Sequence, residues 1–225
     1  MIFTFWEGEK PSYIELCMET WKFPYTELTY DNLGNYTDMP SDMLKGFTLA
    51  QVADWVRVHV LRDNGGYWID ADTIILTDNL PNATILGYPK TRQNTIGMLH
   101  TDAHSEMFTK WAEYQDNILQ RMQPPQIWSI MGNDFTDDYL LEHTEIEIGE
   151  IDRMWPEVYM IGGNRPRMQK YIDFYFEQSQ HLSDIKDTDM LMLHNSWTPQ
   201  WYKALNKDAI LSVDCTLSNI LREAI

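Results

Sequence analysis

Cysteine is nearly missing from this chain. Cys17 and Cys215 are the two among 225 residues, with no metal-ligand spacing and no disulfide framework to build. Basic residues are scarce as well: Lys plus Arg is 17 against 34 Asp plus Glu, a net charge of −17 at pH 7. A surface of that sign repels nucleic acid and anionic membranes, so neither is expected as a main partner. It also repels a phosphorylated substrate unless local cations reverse the sign at the site. No stretch approaches the ~20 apolar residues of a membrane span. The start, "MIFTFWEGEK", has no basic n-region and too short an apolar run for a signal peptide. Internal repeats, low-complexity linkers and a G-x-x-x-x-G-K phosphate loop are absent too. These absences imply a soluble, cytoplasmic chain in a reducing compartment, with peripheral membrane association left open.

What the chain does have is apolar and aromatic mass. Hydrophobic residues make up 44% and aromatics 13%, including nine Trp and twelve Tyr. That is enough for a sizeable core in one large domain or two small ones. Residues 2–6, "IFTFW", read as a strand, "PSYIELCMETWK" as a helix opened by Pro11 and Ser12, and "TELTYD" as a second strand. Residues 31–46 are rich in turn formers. "FTLAQVADWVRVHVLRDNGG" is the clearest helix, with Leu49, Val52, Ala53, Val56 and Val60 on one face and Gly65–Gly66 at its end. "YWID", "DTIIL", "ATILGYP" and "TIGMLH" follow as short extended runs. "DAHSEMFTKWAEYQDNILQRM" is a helix broken by Pro124 and Pro125. Beyond it, "YLLEHT" and "PRMQKYIDFYFEQSQ" suit helices, and "EIEI", "EVYMI" and "DMLMLHNSW" suit strands. Strands alternating with helices through the first half argue a mostly parallel sheet covered on both faces. Ligands in such sheets bind outside the carboxyl ends of strands.

Asp70 and Asp72 lie at one such end, in "GGYWIDADTIIL". A carboxylate at the end of a buried strand costs desolvation energy unless a cation offsets it. Hard divalent cations take oxygen ligands, and Mg²⁺ commonly shares its shell with substrate phosphates. If the strand continues through the motif, side chains at i and i+2 face the same way, and Ala71 leaves room between them. A metal held by both carboxylates would let an acidic protein bind an anionic donor. The alternative is that the two are turn residues.

"ADWVRVHVLRDNGGYWIDAD" resembles the DXD-containing sugar transferases of the capsular polysaccharide synthesis and mannosyltransferase-like superfamily, related to the large clostridial glucosylating toxins. Their pattern is a helix with Asp-x-x-Arg, then Gly-Gly, then a strand ending Asp-x-Asp. "FTFWEGEKPSYIELCMETWK" is similar to the family's first strand and helix, and "LHNSW" to its closing segment. The resemblance implies a glycosyltransferase type A (GT-A) fold, a single Rossmann-like α/β domain with a central mixed sheet flanked by helices. Residues of about 1–100 would bind the nucleotide-sugar and about 101–225 the acceptor side. It implies Mn²⁺ or Mg²⁺, a UDP- or GDP-sugar donor, and a carbohydrate acceptor.

Residue by residue, the resemblance makes Asp72 a direct metal ligand. Asp70 would hold the metal or the donor ribose, and Asp54 and Arg57 the donor sugar; an exposed ion pair is the plainer reading of the last two. Trp6 would stack on the nucleobase, or else simply pack in the core. Asn94 would touch the donor sugar, and Ser196 and Trp197 the β-phosphate. His194 or Asn195 would sit near the metal, His194 being the metal-ligand candidate. Asp54, Arg57 and Asp72 are the expected catalytic group. Gly132–Asp134, "GND", falls where relatives carry an acceptor-side loop. His100 and His104 are expected on the surface or in the core. An inverting transferase needs a carboxylate base. The resemblance implies retention at the anomeric carbon, and with the motif carboxylates assigned elsewhere no free, well-placed base stands out, Asp134 and Glu106 being the alternatives. A degenerate, non-catalytic sugar- or partner-binding relative is the competing reading. Four intact charged positions argue against it.

Overall fold

The computed structural model describes residues 1–40, 46–121, 127–151, 166–185 and 188–225, without the side chain of Trp128. The chain divides into two compact units. The first comprises Met1–Gly8, Phe23–Asp70 and Pro81–Ile151; the second comprises Glu9–Lys22, Ala71–Leu80 and Asp152–Ile225. The chain therefore passes from the first to the second immediately after Asp70.

The first unit is built on a six-stranded mixed sheet. Its strands are β1 (Ile2–Phe5), β2 (Tyr25–Leu28), β3 (Gly66–Ile69), β5 (Ile85–Gly87), β6 (Asn94–Thr101) and β7 (Ile148–Glu150), in the order β2-β1-β3-β6-β5-β7. β1 runs parallel to β2 and β3, and β5 runs parallel to β7. β6 is antiparallel to both its neighbours, so the sheet is less parallel than strand–helix alternation suggests. The cause is local. Six residues separate β5 from β6, too few for a crossover, and the hairpin is closed by Tyr88 N–H donating to the Gln93 carbonyl at 2.7 Å.

Helix α2 (Leu49–Asn64) lies in this unit with α3 (Glu106–Arg121) and α4 (Asn133–Glu142). Thr48 and Gln51 form a reciprocal capping box at its start. Gly65 ends it at φ 66°, in the left-handed region that glycine enters without strain. Val52, Val56 and Val60 are buried as their spacing predicts, but Leu49 is 52% exposed, because it occupies the first turn. Gln51, Asp54, Arg57 and His59 are buried as well. A helix buried nearly all round must find partners for its polar groups, and that need shapes the site.

The second unit holds α1 (Ser12–Glu19), β4 (Thr73–Ile75), α5 (Arg167–Phe176), β8 (Met190–Met192) and three C-terminal helices, α6 (Gln200–Lys203), α7 (Lys207–Ser212) and α8 (Thr216–Ala224). β4 and β8 form an antiparallel pair of their own. α1 is fastened to β4 by polar bonds: Trp21 Nε1 donates to the Thr73 carbonyl at 2.7 Å, and Ile75 N–H donates to Thr20 Oγ1 at 2.9 Å. Cys17 and Cys215 are buried and unbridged. The run "EVYMI" and the Pro124–Pro125 break lie outside the described residues. No helix among those described is long and apolar enough to cross a membrane.

Candidate functional site

β3 ends at Ile69, and Asp70–Ala71–Asp72 forms a turn leading into β4. Strand alternation therefore does not orient the two carboxylates, contrary to the sequence expectation. Each is oriented by its own bonds.

In the first unit Arg57 is the hub. Its guanidinium Nη2 lies 3.0 Å from Asp54 Oδ1 and 3.3 Å from Asp70 Oδ1. Its Nη1 donates to the Ile96 carbonyl at 2.5 Å, and the group lies 5.1 Å from the centroid of the Trp68 ring. The Trp68 indole N–H donates to Asp70 Oδ1 at 2.8 Å. Asp70 Oδ1 is thus fixed by two donors, while the side chain stays 28% exposed. Asp54 and Arg57 are each only 5% exposed, so they are not a solvated surface pair. Burial pushes the Asp54 carboxyl up to about 6, against the pull of Arg57 and with the help of Asp70.

Two further residues close around Asp54. Gln115 Nε2 donates to the Asp54 carbonyl at 2.9 Å. Gly132 lies so close that a Cβ there would come 3.1 Å from Asp54 Oδ2 and 2.5 Å from Ile96 Cδ1. The "GND" segment thus supplies a glycine that lets backbone approach the carboxylate. Asn94 is used within the fold: its amide donates to Asp137 at 2.8 Å, and its Oδ1 accepts from Thr136 at 2.8 Å. Trp6 follows β1, half-buried, its indole N–H buried without a partner among the described residues. Tyr67 stacks on His100 at 4.0 Å, and His104 is exposed. Asp134 lies in the first turn of α4 and Glu106 opens α3, Glu106 paired with Lys110 at 2.7 Å.

In the second unit Asp72 is tied to the closing segment. Asn195 N–H donates to Asp72 Oδ2 at 2.9 Å, and Leu193 N–H donates to the Asp72 carbonyl at 3.0 Å. Asn195 Oδ1 in turn accepts from the buried Tyr13 hydroxyl at 2.7 Å. Burial, with Asp72 nearby, raises the Tyr13 hydroxyl far above its ordinary value, so it stays a donor. Asn195 therefore serves Asp72 through its backbone, with its side chain committed to Tyr13. The His194 ring packs on Trp197 at 4.0 Å and edge-on to Tyr171. Burial lowers its pKa to about 4, aided by Arg167, so at neutral pH it is an uncharged imidazole. Ser196 is exposed, and Trp197 N–H donates to the His194 carbonyl at 2.9 Å.

Sequence reasoning missed Trp68, Gln115 and Tyr13 as supports. Trp68 was discoverable, standing two residues before Asp70. Tyr13 carried no signal, being 182 positions from the residue it holds.

Among the described residues no three His, Cys, Asp or Glu side chains gather as a metal cage. Asp70 and Asp72 are hard oxygen donors of the kind Mg²⁺ and Mn²⁺ take. A cation sharing its shell with donor phosphates asks the protein for no more than one or two carboxylates. Each carboxylate by itself fits that class of ion, and among the described residues neither belongs to a closed, all-protein metal site.

The chain belongs to the capsular polysaccharide synthesis protein family, whose pattern matches residues 1–207. That membership agrees with the expected class, a glycosyltransferase acting in polysaccharide synthesis. Among solved structures the chain is similar to one titled "PaToxG Glycosyltransferase", at 17% identity and a TM-score of 0.47, over 64% of this chain and 68% of that one. No curated protein sequence matches.

Proposed function

We propose that the protein is a metal-dependent, retaining glycosyltransferase of GT-A type. It moves a hexose from a UDP- or GDP-sugar to a carbohydrate acceptor. The observation that carries this reading is the buried Asp54–Arg57–Asp70 arrangement at the end of β3, in a chain of the capsular polysaccharide synthesis family. Burying the Asp54 carboxylate and the Arg57 guanidinium, with Asp70 half-buried beside them, costs several kcal/mol in desolvation. A fold that needed only stability would be as well served by apolar side chains.

Asp70 and Asp72, one residue apart in the chain, would each offer a carboxylate to the divalent cation, the remaining ligands coming from donor phosphates and water; the expected third ligand, His194, is instead packed against Trp197 and Tyr171. Bound there, the ion would offset phosphate charge as the nucleotide leaves. Arg57 fixes Asp70 and Asp54, and Asp54 offers Oδ2 toward donor sugar hydroxyls. Trp6 provides the aromatic face for the base, and Ser196 and Trp197 lie with the diphosphate. The acceptor hydroxyl oxygen attacks the anomeric carbon from the face the nucleotide leaves. The bond from that carbon to the β-phosphate oxygen breaks, and the departing oxygen takes the acceptor's proton. No carboxylate outside the group is then needed as base.

The test is a thermal-shift screen of nucleotide-sugars with Mn²⁺, since a ligand of the native state raises its melting point. Turnover of any hit follows, with the product's anomeric proton read by NMR. An α-linked donor should give an α-linked product, and Asp72→Asn should remove most turnover while the protein stays folded. A β-linked product, or full Asp72→Asn turnover with a chelator present, would overturn the reading.

A further inference from the structure

In a chain of net charge −17, a half-buried cation with no carboxylate at contact distance stands out. Lys203, the last residue of α6, is one. Two other lysines of this unit are paired: Lys207 Nζ lies 3.0 Å from Glu15 and 2.5 Å from Glu19, and Lys22 lies 3.0 Å from Asp78. Among the described residues Lys203 has no such pair.

Its position is fixed by its neighbours. Lys203 N–H donates to the Pro199 carbonyl at 3.1 Å, continuing the turn that begins at His194. The preceding Tyr202 is fully buried, with its hydroxyl 3.0 Å from Ser218 Oγ. The Tyr202 ring packs 6.0 Å from the ring of Tyr13. Tyr13 is the residue that reaches Asp72 through Asn195. One rigid assembly thus carries both Asp72 and the backbone of Lys203. Partial burial lowers the pKa of the Lys203 ammonium, and the Asp72 carboxylate works against that shift.

We infer that Lys203 is a diphosphate-binding residue, contacting the nucleoside diphosphate part of the donor on the Asp72 side of the site. The inference rests on the transferase reading above and adds a residue that the motif comparison does not assign. Its logic is charge balance. A diphosphate approaching Asp72 meets a carboxylate that repels it, and a cation held on the same assembly offsets that charge. An ammonium suits this task because it acts as a point charge on a flexible stem and can follow the phosphate.

The experiment is calorimetric titration of wild type, Lys203→Gln and Lys203→Arg with UDP, GDP and inorganic pyrophosphate. Each is measured with and without Mn²⁺, at two salt concentrations. Lys203→Gln should weaken binding of the responding probe about tenfold, also without metal, and flatten its salt dependence. Lys203→Arg should recover most of the affinity. Melting temperatures of both variants without ligand should match wild type, because no ion pair is lost. If wild type binds a probe and Lys203→Gln binds it equally well, the inference fails and the transferase reading stands. If wild type binds none of the three under any condition, both fall.

Discussion

Replacing Arg57 by Met keeps a long stem against Trp68 and deletes the charge that Asp54 and Asp70 share. The cost follows from the geometry. Asp54 pays for burial by a rise from 3.8 to about 6. A raised acid pKa means the folded state holds its proton more tightly, so the stability it contributes is present below about pH 4 and lost as pH rises through 6. At pH 7 that penalty is about 3 kcal/mol, at 1.36 kcal/mol per unit. Without Arg57 the carboxyl rises further, and protonation on folding caps its penalty at pH 7 near 4.4 kcal/mol at most, about 1.36 kcal/mol per unit above 3.8. The Asp54 share of the damage is therefore only about 1.4 kcal/mol. The orphaned Ile96 carbonyl, which accepts from Arg57 at 2.5 Å, adds about 1–3 kcal/mol. Asp70 keeps its Trp68 donor and adds little. Arg57→Met should lose roughly 3 kcal/mol at pH 7, a fall in Tm of roughly 6–12 °C for a chain of this length. At pH 5 Asp54 is protonated with or without Arg57, so the loss should shrink by about 1.4 kcal/mol. In an Asp54→Asn background the pH dependence of the loss should vanish. Urea unfolding of the two single variants and the double variant at both pH values measures each term. An Arg57→Met loss that is the same at pH 5 and 7, or unchanged by Asp54→Asn, would refute the shared-cation account.

Gly132→Ala should destabilise the first unit by about 1–3 kcal/mol, because its Cβ meets Ile96 Cδ1 at 2.5 Å and Asp54 Oδ2 at 3.1 Å; unchanged urea unfolding would count against that packing. Tyr13→Phe removes the donor to Asn195 and should lower turnover several-fold at saturating donor, with restoration by raised Mn²⁺; an unaltered Mn²⁺ dependence would show that Asp72 needs no such support. His59 is buried, stacked on Trp55 at 3.9 Å, and shifted from 6.5 down to about 3 by burial. Its unfolded form binds a proton that the folded form refuses, so its share of stability is lost as pH falls below 6.5. His59→Phe should reduce the acid destabilisation between pH 6.5 and 4.5 by up to about 2.7 kcal/mol relative to wild type; parallel stability–pH curves would refute it. The comparison between variants is needed because Asp54 works in the opposite sense over about pH 4–6.

How far the sequence reveals this protein depends on how local the determining physics is. Helix α2 was legible because its cap, its valines and its terminal Gly65 all lie within one 18-residue stretch. The capping box at Thr48 and Gln51 and the positive φ at Gly65 are what such residues do wherever they occur. The central strands were legible from composition: Ile2–Phe5 is buried throughout. The direction of β6 was less so, since it depends on the hairpin before it. The three C-terminal helices were missed because each is short, at four, six and nine residues. At those lengths packing decides a helix more than propensity does. The site divides the same way. Asp54, Arg57 and Asp70 could be named from the family resemblance, but not the fact that one guanidinium serves both carboxylates; that depends on Trp68 and on a backbone carbonyl 39 residues away. Asp72 could be named, but its support reaches across 123 residues to Asn195 and then 182 back to Tyr13. A motif records which groups the chemistry needs. The bonds that hold those groups still are long-range, and they make the difference between four charged residues in a row of letters and an ordered site.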